Sequence, residues 1–412
     1  MQVIETSGYF QLMKHPTSNK LLVICSSLDT RHPKFTFWKL AQKLGCNLLF
    51  LNSPMSHWYR TGIIGIEGGV KGVSEKIGKI KKDLNIEETI FFGVSMGGYG
   101  AILLGSLSNA DHIIAFSVEP LLGIPGGRTE VTRNKFQSLY PDLRNLNIPK
   151  ITLIYGEMDI VDTIGAYLIG ESCPHSSIYK IPYAEHDVAN SLNYRGELIG
   201  LLMNLIYRNG INNKSLVNEK VPKRTYEILH HLNNDYKSQN WKSVIEFIDR
   251  QGTYRSKSLL IEFIYGSCKY KVGEIRESKE ILLKLLEREP QCPHAWNLLA
   301  SCEYRHKNYE SSISYSNVAI NLKPAYSLFH MTKSLSLSKL GMLEEAYSEV
   351  KISGALNPRH APYLEEINKL AKALKISEIT KETLEKEKSG NDFLKNINNS
   401  FDNNLAFNTK FC

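Results

Sequence analysis

The chain has 412 residues, 42% of them hydrophobic, with 50 Lys and Arg against 42 Asp and Glu for a formal net charge of +8 at pH 7. That length is too great for one small core and predicts two or three domains. The basic surplus is modest and no nucleic-acid motif accompanies it, so nucleic-acid binding is not expected. No uninterrupted apolar stretch reaches the length of a membrane span. The opening residues MQVIETSGYFQLMKHP carry Glu5 and no apolar core, so a secretory signal is not expected either. Seven scattered cysteines without paired spacing predict free thiols in a reducing, cytoplasmic setting. No Cys/His cluster has zinc spacing and there is no P-loop or dinucleotide fingerprint, which predicts no metal and no required cofactor.

In chain order, the first buried strand reads as Leu21-Leu22-Val23-Ile24-Cys25, running into Ser26-Ser27-Leu28. A second, Leu48-Leu49-Phe50-Leu51, precedes His57-Trp58-Tyr59-Arg60-Thr61-Gly62. Gly65, Gly68 and Gly69 lack phosphate-loop spacing and read as a loop. Lys76, Lys79, Lys81 and Lys82 fall on one polar helical segment. The ordinary reading is a solvated face. The sharper one is a weak attraction to an anionic polymer or peripheral contact with an anionic membrane surface.

Residues 89–105, TIFFGVSMGGYGAILLG, are the most informative stretch. An apolar strand meets Gly93-Val94-Ser95-Met96-Gly97, and a small-residue helix follows: the G-x-S-x-G nucleophile elbow in its strand–turn–helix context. A side chain at Gly93 or Gly97 would collide with the neighbouring strand or the helix start. Ser95 projects from a strained turn, and the amide of Met96 at the helix N-terminus can face a developing oxyanion. A plain βα turn is the competing reading.

A serine nucleophile needs a base and an orienting acid, in the chain order Ser, Asp, His. Strand Ile151–Tyr155 leads into Gly156-Glu157-Met158-Asp159, which makes Asp159 the favoured acid, with Asp162 as the alternative. Strand Ser177–Ile181 leads into Pro182-Tyr183-Ala184-Glu185-His186, and His186 is the best-placed base. His15, His175, His230 and His231 lie in less suitable places. Residues 119–147, with Gly123, Pro125, Gly126 and Gly127, form the one candidate lid or substrate loop.

Past a polar link the pattern turns helical. Pro290, Pro324 and Pro358 fall 34 residues apart, closing LLEREP, AINLKP and GALNP; that is the tetratricopeptide period. Trp296, Leu299 and Ala300 take early packing positions, Gly266 the matching small position one repeat earlier, and Ala346 the small position of a second helix. Three repeats are expected over 259–360, preceded by a degenerate one at 226–258 with Trp241 and followed by a capping helix at 361–374. Trp296 and Tyr304 are expected in the core. The division is then a first domain 1–208, a linker 209–225, helical repeats 226–375, and a polar, disordered tail 376–412.

Residues 1–208 resemble the alpha/beta-hydrolase superfamily. The phrases GVSMGGYGAILLG and IIAFSVEP, with HWYRTG, resemble small hydrolase-fold proteins associated with bacterial capsule and surface-polysaccharide synthesis. The resemblance implies a doubly wound, mostly parallel α/β sheet followed by an all-α repeat domain. It also implies a serine esterase or carbohydrate O-acetyltransferase, with acetyl-CoA as a conceivable acyl donor and a carbohydrate or other ester as substrate. Two departures stand out. Glu185, not glycine, precedes the base, and Ser26-Ser27-Leu28 replaces His-Gly in the first-strand loop. The second oxyanion amide is accordingly Ser27 or Leu28, by position. The repeats are expected to present a concave surface to a protein or polymer. The competing reading is a catalytically lapsed hydrolase fold serving as a scaffold through those repeats.

Overall fold

A computed structural model describes residues 1–28, 30–54, 57–129, 139–211 and 213–389. The chain divides into two compact units, Met1–Asn240 and Trp241–Cys412. The first contains the strands β1 (Gln2–Thr6), β2 (Phe10–Lys14), β3 (Lys20–Cys25), β4 (Asn47–Leu51), β5 (Glu88–Val94), β6 (His112–Phe116), β7 (Ile151–Gly156), β8 (Ser177–Ile181) and β9 (Val217–Asn218). Among the described residues they form one nine-stranded sheet in the order β1-β2-β4-β3-β5-β6-β7-β8-β9. From β4 to β8 every pairing is parallel, while β1, β2 and β9 run antiparallel to their neighbours.

The central strands read as unbroken apolar runs because both faces of the sheet are covered. Side chains alternate between the faces along each strand. On one face Leu21, Val23, Phe91, Ile113 and Leu153 pack with residues of α2 (Gly69–Asp83), α3 (Met96–Leu107) and α4 (Ile160–Ser172). On the other, Leu22, Ile24, Phe92, Ile114 and Ile154 pack with α1 (Trp38–Ala41), α5 (Val188–Tyr194) and α6 (Leu198–Tyr207). Each of these fully buried side chains contributes about 1.5–3 kcal/mol by leaving water. The sandwich therefore fixes the strand ends on which a site can be built. The lysine-bearing segment expected before the elbow is α2, whose Val70, Val73, Ile77 and Ile80 face the core.

The domain boundary falls later than the sequence suggests. Helix α7 (Lys223–Lys237) was expected to open the repeats, yet it lies inside the first unit, packed along α4. Tyr226 stacks on Tyr167 of α4 with ring centroids 4.1 Å apart. Asn233 Nδ2 donates to the Pro125 carbonyl at 2.8 Å. The repeat-like composition of α7 reflects an amphipathic helix that covers a different partner.

The second unit is a run of helical hairpins. Its helices are α8 (Trp241–Asp249), α9 (Leu259–Val272), α10 (Ile275–Arg288), α11 (Pro293–Arg305), α12 (Tyr309–Leu322), α13 (Ser327–Lys339), α14 (Leu343–Leu356), α15 (Ala361–Ala373) and α16 (Lys381–Ser389). The starts of α9, α11 and α13 recur at the 34-residue spacing, as do those of α10, α12 and α14. Small residues meet where the helices of a pair approach: Ser278 Oγ donates to the Gly266 carbonyl and Ser334 Oγ to that of Ala346. Leu299 and Ala300 are fully buried, whereas Trp296 and Tyr304 are half-buried. Trp296 donates Nε1–H to the Pro290 carbonyl at 2.8 Å, and His330, one period on, makes the same bond to Pro324. Helix α15 occupies the expected capping position. Helix α16 begins the segment expected as tail, and residues 390–412 lie outside the described residues. No helix among the described residues is long and apolar enough to cross a membrane.

Candidate active site

Ser95 sits between the end of β5 and the start of α3 at φ 55°, ψ −119°, a backbone conformation that L-residues seldom adopt. The sequence around it permits this turn. A Cβ on Gly93 would lie 2.0 Å from the Gly97 carbonyl oxygen, and one on Gly97 would lie 2.2 Å from that of Cys25 in β3. Both expected obstacles are present: the helix start meets a Cβ on Gly93, and the neighbouring strand meets one on Gly97. Gly97→Ala should therefore push β3 and its loop away from α3. We expect a loss of about 1–3 kcal/mol in a denaturation experiment, together with loss of any Ser95 reactivity.

His186 lies on the loop after β8. The amides of Glu157 and Met158 donate to the Ile181 and Ala184 carbonyls, which ties this loop to the end of β7. His186 Nε2 is 3.0 Å from Ser95 Oγ, and Nδ1 is 2.7 Å from Asp162 Oδ1. With Nδ1–H donating to the carboxylate, the Nε2 lone pair faces the serine hydroxyl. Ser95, His186 and Asp162 thus come together at the carboxyl ends of the parallel strands β5, β8 and β7.

The favoured acid of the sequence reading, Asp159, does not contact His186 through a hydrogen bond. It is the N-cap of α4: its Oδ1 accepts from the Asp162 amide at 2.9 Å, and its backbone carbonyl accepts from Thr163 Oγ1. An N-cap carboxylate faces its own helix start. Asp162, in the first turn, is buried and turned toward the imidazole. The carboxylate bonded to His186 is thus the alternative, Asp162.

Sequence reasoning missed Arg128, in the loop after β6. Its guanidinium pairs with Asp159 and reaches Asp162 Oδ1 at 3.3 Å. Burial pushes Asp162 upward, but the His186 bond and charge and the Arg128 guanidinium outweigh it and hold the carboxyl below its ordinary range. Asp159 is raised by burial and by the Asp162 charge. Burial pulls His186 down, but the Asp162 bond and charge outweigh that and hold it above its ordinary value. Asp159, Asp162 and His186 could offer three ligand atoms within 4.8 Å of one another. The Arg128 cation on both carboxylates would oppose a metal ion there. In the sequence only the loop was legible, as a possible lid; residues 130–138 of it lie outside the described residues.

The two amides expected to face an oxyanion fare differently. The Met96 amide is the first of α3, where it has no intrahelical acceptor. The Ser27 amide donates to Thr36 Oγ1 at 3.0 Å, so it is engaged within its own loop. Leu28, the other position considered, is the remaining candidate there. Six cysteines among the described residues are buried and unpaired.

No protein-family model matches the chain, and no curated protein does either. Solved structures match part of it. The first TPR of Spaghetti (RPAP3), bound to the HSP90 peptide SRMEEVD, is 24% identical over 29% of this chain and 95% of its own, with a TM-score of 0.28. The first TPR domain of human RPAP3 is 24% identical over 28% of this chain and 92% of its own, with a TM-score of 0.28. MamA from Desulfovibrio magneticus RS-1, from residue 41 to its end, is 10% identical over 46% of this chain and 99% of its own, with a TM-score of 0.34. The C-terminal half is a helical repeat region resembling TPR. Its helix starts recur every 34 residues, at 259, 293 and 327 and at 275, 309 and 343.

Proposed function

We propose that the first unit is a serine acyl-transfer enzyme of the alpha/beta-hydrolase kind. The observation that carries this reading is the bonded line Ser95–His186–Asp162, with Ser95 held on a strained strand-to-helix turn. The mostly parallel sheet and the chain order Ser, Asp, His support it.

His186 takes the Ser95 proton as Oγ attacks an acyl carbonyl, and the charge forming on the carbonyl oxygen faces the Met96 amide. Collapse of the tetrahedral intermediate expels the leaving group, which receives the proton from His186, and leaves an ester on Ser95. A second attack, by water or by a sugar hydroxyl, repeats the sequence and frees the enzyme. Asp162 keeps the imidazole in the required tautomer and stabilises its charged form.

The substrate class follows from the resemblance and from the short connection between Ser95 and Asp162, which has no room for a large cap. We assign O-acetyl transfer to, or ester hydrolysis on, a surface or capsular polysaccharide, with acetyl-CoA as the candidate donor and no further cofactor. The repeats dock a protein or polymer partner. The setting is cytoplasmic.

Intact-mass analysis after mixing with acetyl-CoA, and separately with a small activated acetate ester, tests the reaction. An acetyl increment on Ser95 is expected from at least one of them. No increment from either, at any quench time, would refute acetyl transfer.

The pH dependence has a definite sign. The base must be neutral, and Asp162 holds the His186 imidazolium stable above the ordinary pKa of about 6.5. Acylation should therefore rise with pH through a midpoint above about 6.5. A midpoint well below that value would contradict the bonded His186–Asp162 pair.

A further inference from the structure

Helix α7 grips both partners of the Arg128–Asp162 contact. Along α4, whose first turn carries Asp162, it stacks Tyr226 on Tyr167. Along the 119–129 loop, Asn233 Nδ2 donates to the Pro125 carbonyl and Lys237 Nζ to the Gly127 carbonyl, each at 2.8 Å. The fit is close: a Cβ on Gly126 would lie 2.7 Å from the Asn233 carbonyl oxygen. Buried Glu119 locks the same loop from within, accepting from the Arg128 amide at 3.0 Å and from the Thr129 amide and hydroxyl. Arg128 emerges from this fixed loop and lands on Asp159 and Asp162.

We propose that α7 is a working part of the site: Asn233 and Lys237 latch the 119–129 loop, and the latched loop makes Arg128 the positioning residue that holds Asp162 in line with His186. This rests on the acyl-transfer reading above for its consequence in catalysis, while the latch itself rests on the contacts alone. Arg128 touches neither Ser95 nor His186 through a hydrogen bond among the contacts described; it acts through Asp162.

The charges facing His186 are Asp162, Asp159 and Arg128. Arg128 opposes the imidazolium, while the Asp162 bond and charge favour it and outweigh that opposition. Removing the guanidinium as a charge alone would raise the His186 titration midpoint, whereas loosening the Asp162 bond that Arg128 positions lowers it, because that bond and charge are the main influences holding the imidazolium stable.

The test uses the full chain in four forms: wild type, Arg128→Ala, Arg128→Lys and Lys237→Met. Lys237 is exposed, so its replacement leaves the core alone. Each form is melted by circular dichroism, its His186 imidazole is titrated by NMR, and its rate of fluorophosphonate labelling is followed against pH. For Arg128→Ala the midpoint should fall as the Asp162 bond loosens, and labelling at neutral pH should slow on the order of 10-fold to 100-fold. Lys237→Met should move both in the same direction by less, and Arg128→Lys should recover part of each. An unmoved or raised midpoint in a folded Arg128→Ala protein would overturn the positioning role of Arg128. A shift there with none in Lys237→Met would overturn the latch. A wild-type protein that no probe labels would count against the acyl-transfer reading, while the titrations would still decide this one.

Discussion

Asp162→Asn should lower the rate of acyl transfer by about 10^4-fold, the scale found when the orienting acid of such a triad becomes an amide. The amide can present its NH2 to His186 Nδ1, which then accepts, so the ring proton sits on Nε2 and no lone pair is left there to take the Ser95 proton. The charge that stabilises the imidazolium is lost in the same change. Asp159→Asn should behave differently, because Asn caps a helix about as well as Asp and can still accept from the Asp162 amide. We expect that variant to stay within about tenfold of wild type, the remaining loss reflecting its pairing with Arg128. Steady-state hydrolysis of a small activated ester by both variants gives the comparison. Equal losses, or a larger loss at Asp159, would return the orienting role to Asp159.

The second large effect concerns where the catalytic unit ends. A chain stopping at Asn240 should fold and keep the triad, since that is the end of the compact unit. One stopping at Asn209 loses β9 and α7, leaves Tyr167 without its stacked partner, and frees the Pro125 and Gly127 carbonyls from their donors. Deleting a helix with buried Ile228, Leu229 and Leu232 removes about 1.5–3 kcal/mol for each, a large part of the stability of an ordinary domain. We expect the shorter chain to be recovered poorly, or to melt well below the longer one, and to label slowly. Thermal melts and labelling of the two chains side by side check this. Indistinguishable behaviour would place α7 outside the functional unit.

The elbow was legible because its requirements are local. Gly93 and Gly97 are needed by atoms a few residues away or on the adjacent strand, and the apolar run at 89–92 announces the strand itself. The repeats were legible for the same reason, since Pro290, Pro324 and Pro358 mark a period that each hairpin obeys. The choice between Asp159 and Asp162 was harder, because both stand in one βα turn. A signal was present: an Asp directly before the apolar-periodic residues of a helix is an N-cap, and a cap side chain is used by its own helix. Arg128 and α7 had no such signal. Their roles arise from packing between segments that are not neighbours in the chain, 34 residues apart for Arg128 and Asp162 and 108 for Asn233 and Pro125. The first strand was missed because every residue of β1 is exposed, so it carries no alternation of burial.

The central claim is that Ser95 is an activated nucleophile. Its most direct measurement is labelling by a fluorophosphonate probe with the modified residue located by peptide mass mapping, in wild type and in Ser95→Ala. The serine-to-alanine change removes one hydroxyl from a half-buried turn, so the variant should remain folded. The account predicts one probe per chain, on Ser95, in wild type and none in Ser95→Ala. A folded wild-type protein that takes up no probe, or labelling that persists in Ser95→Ala, would contradict it.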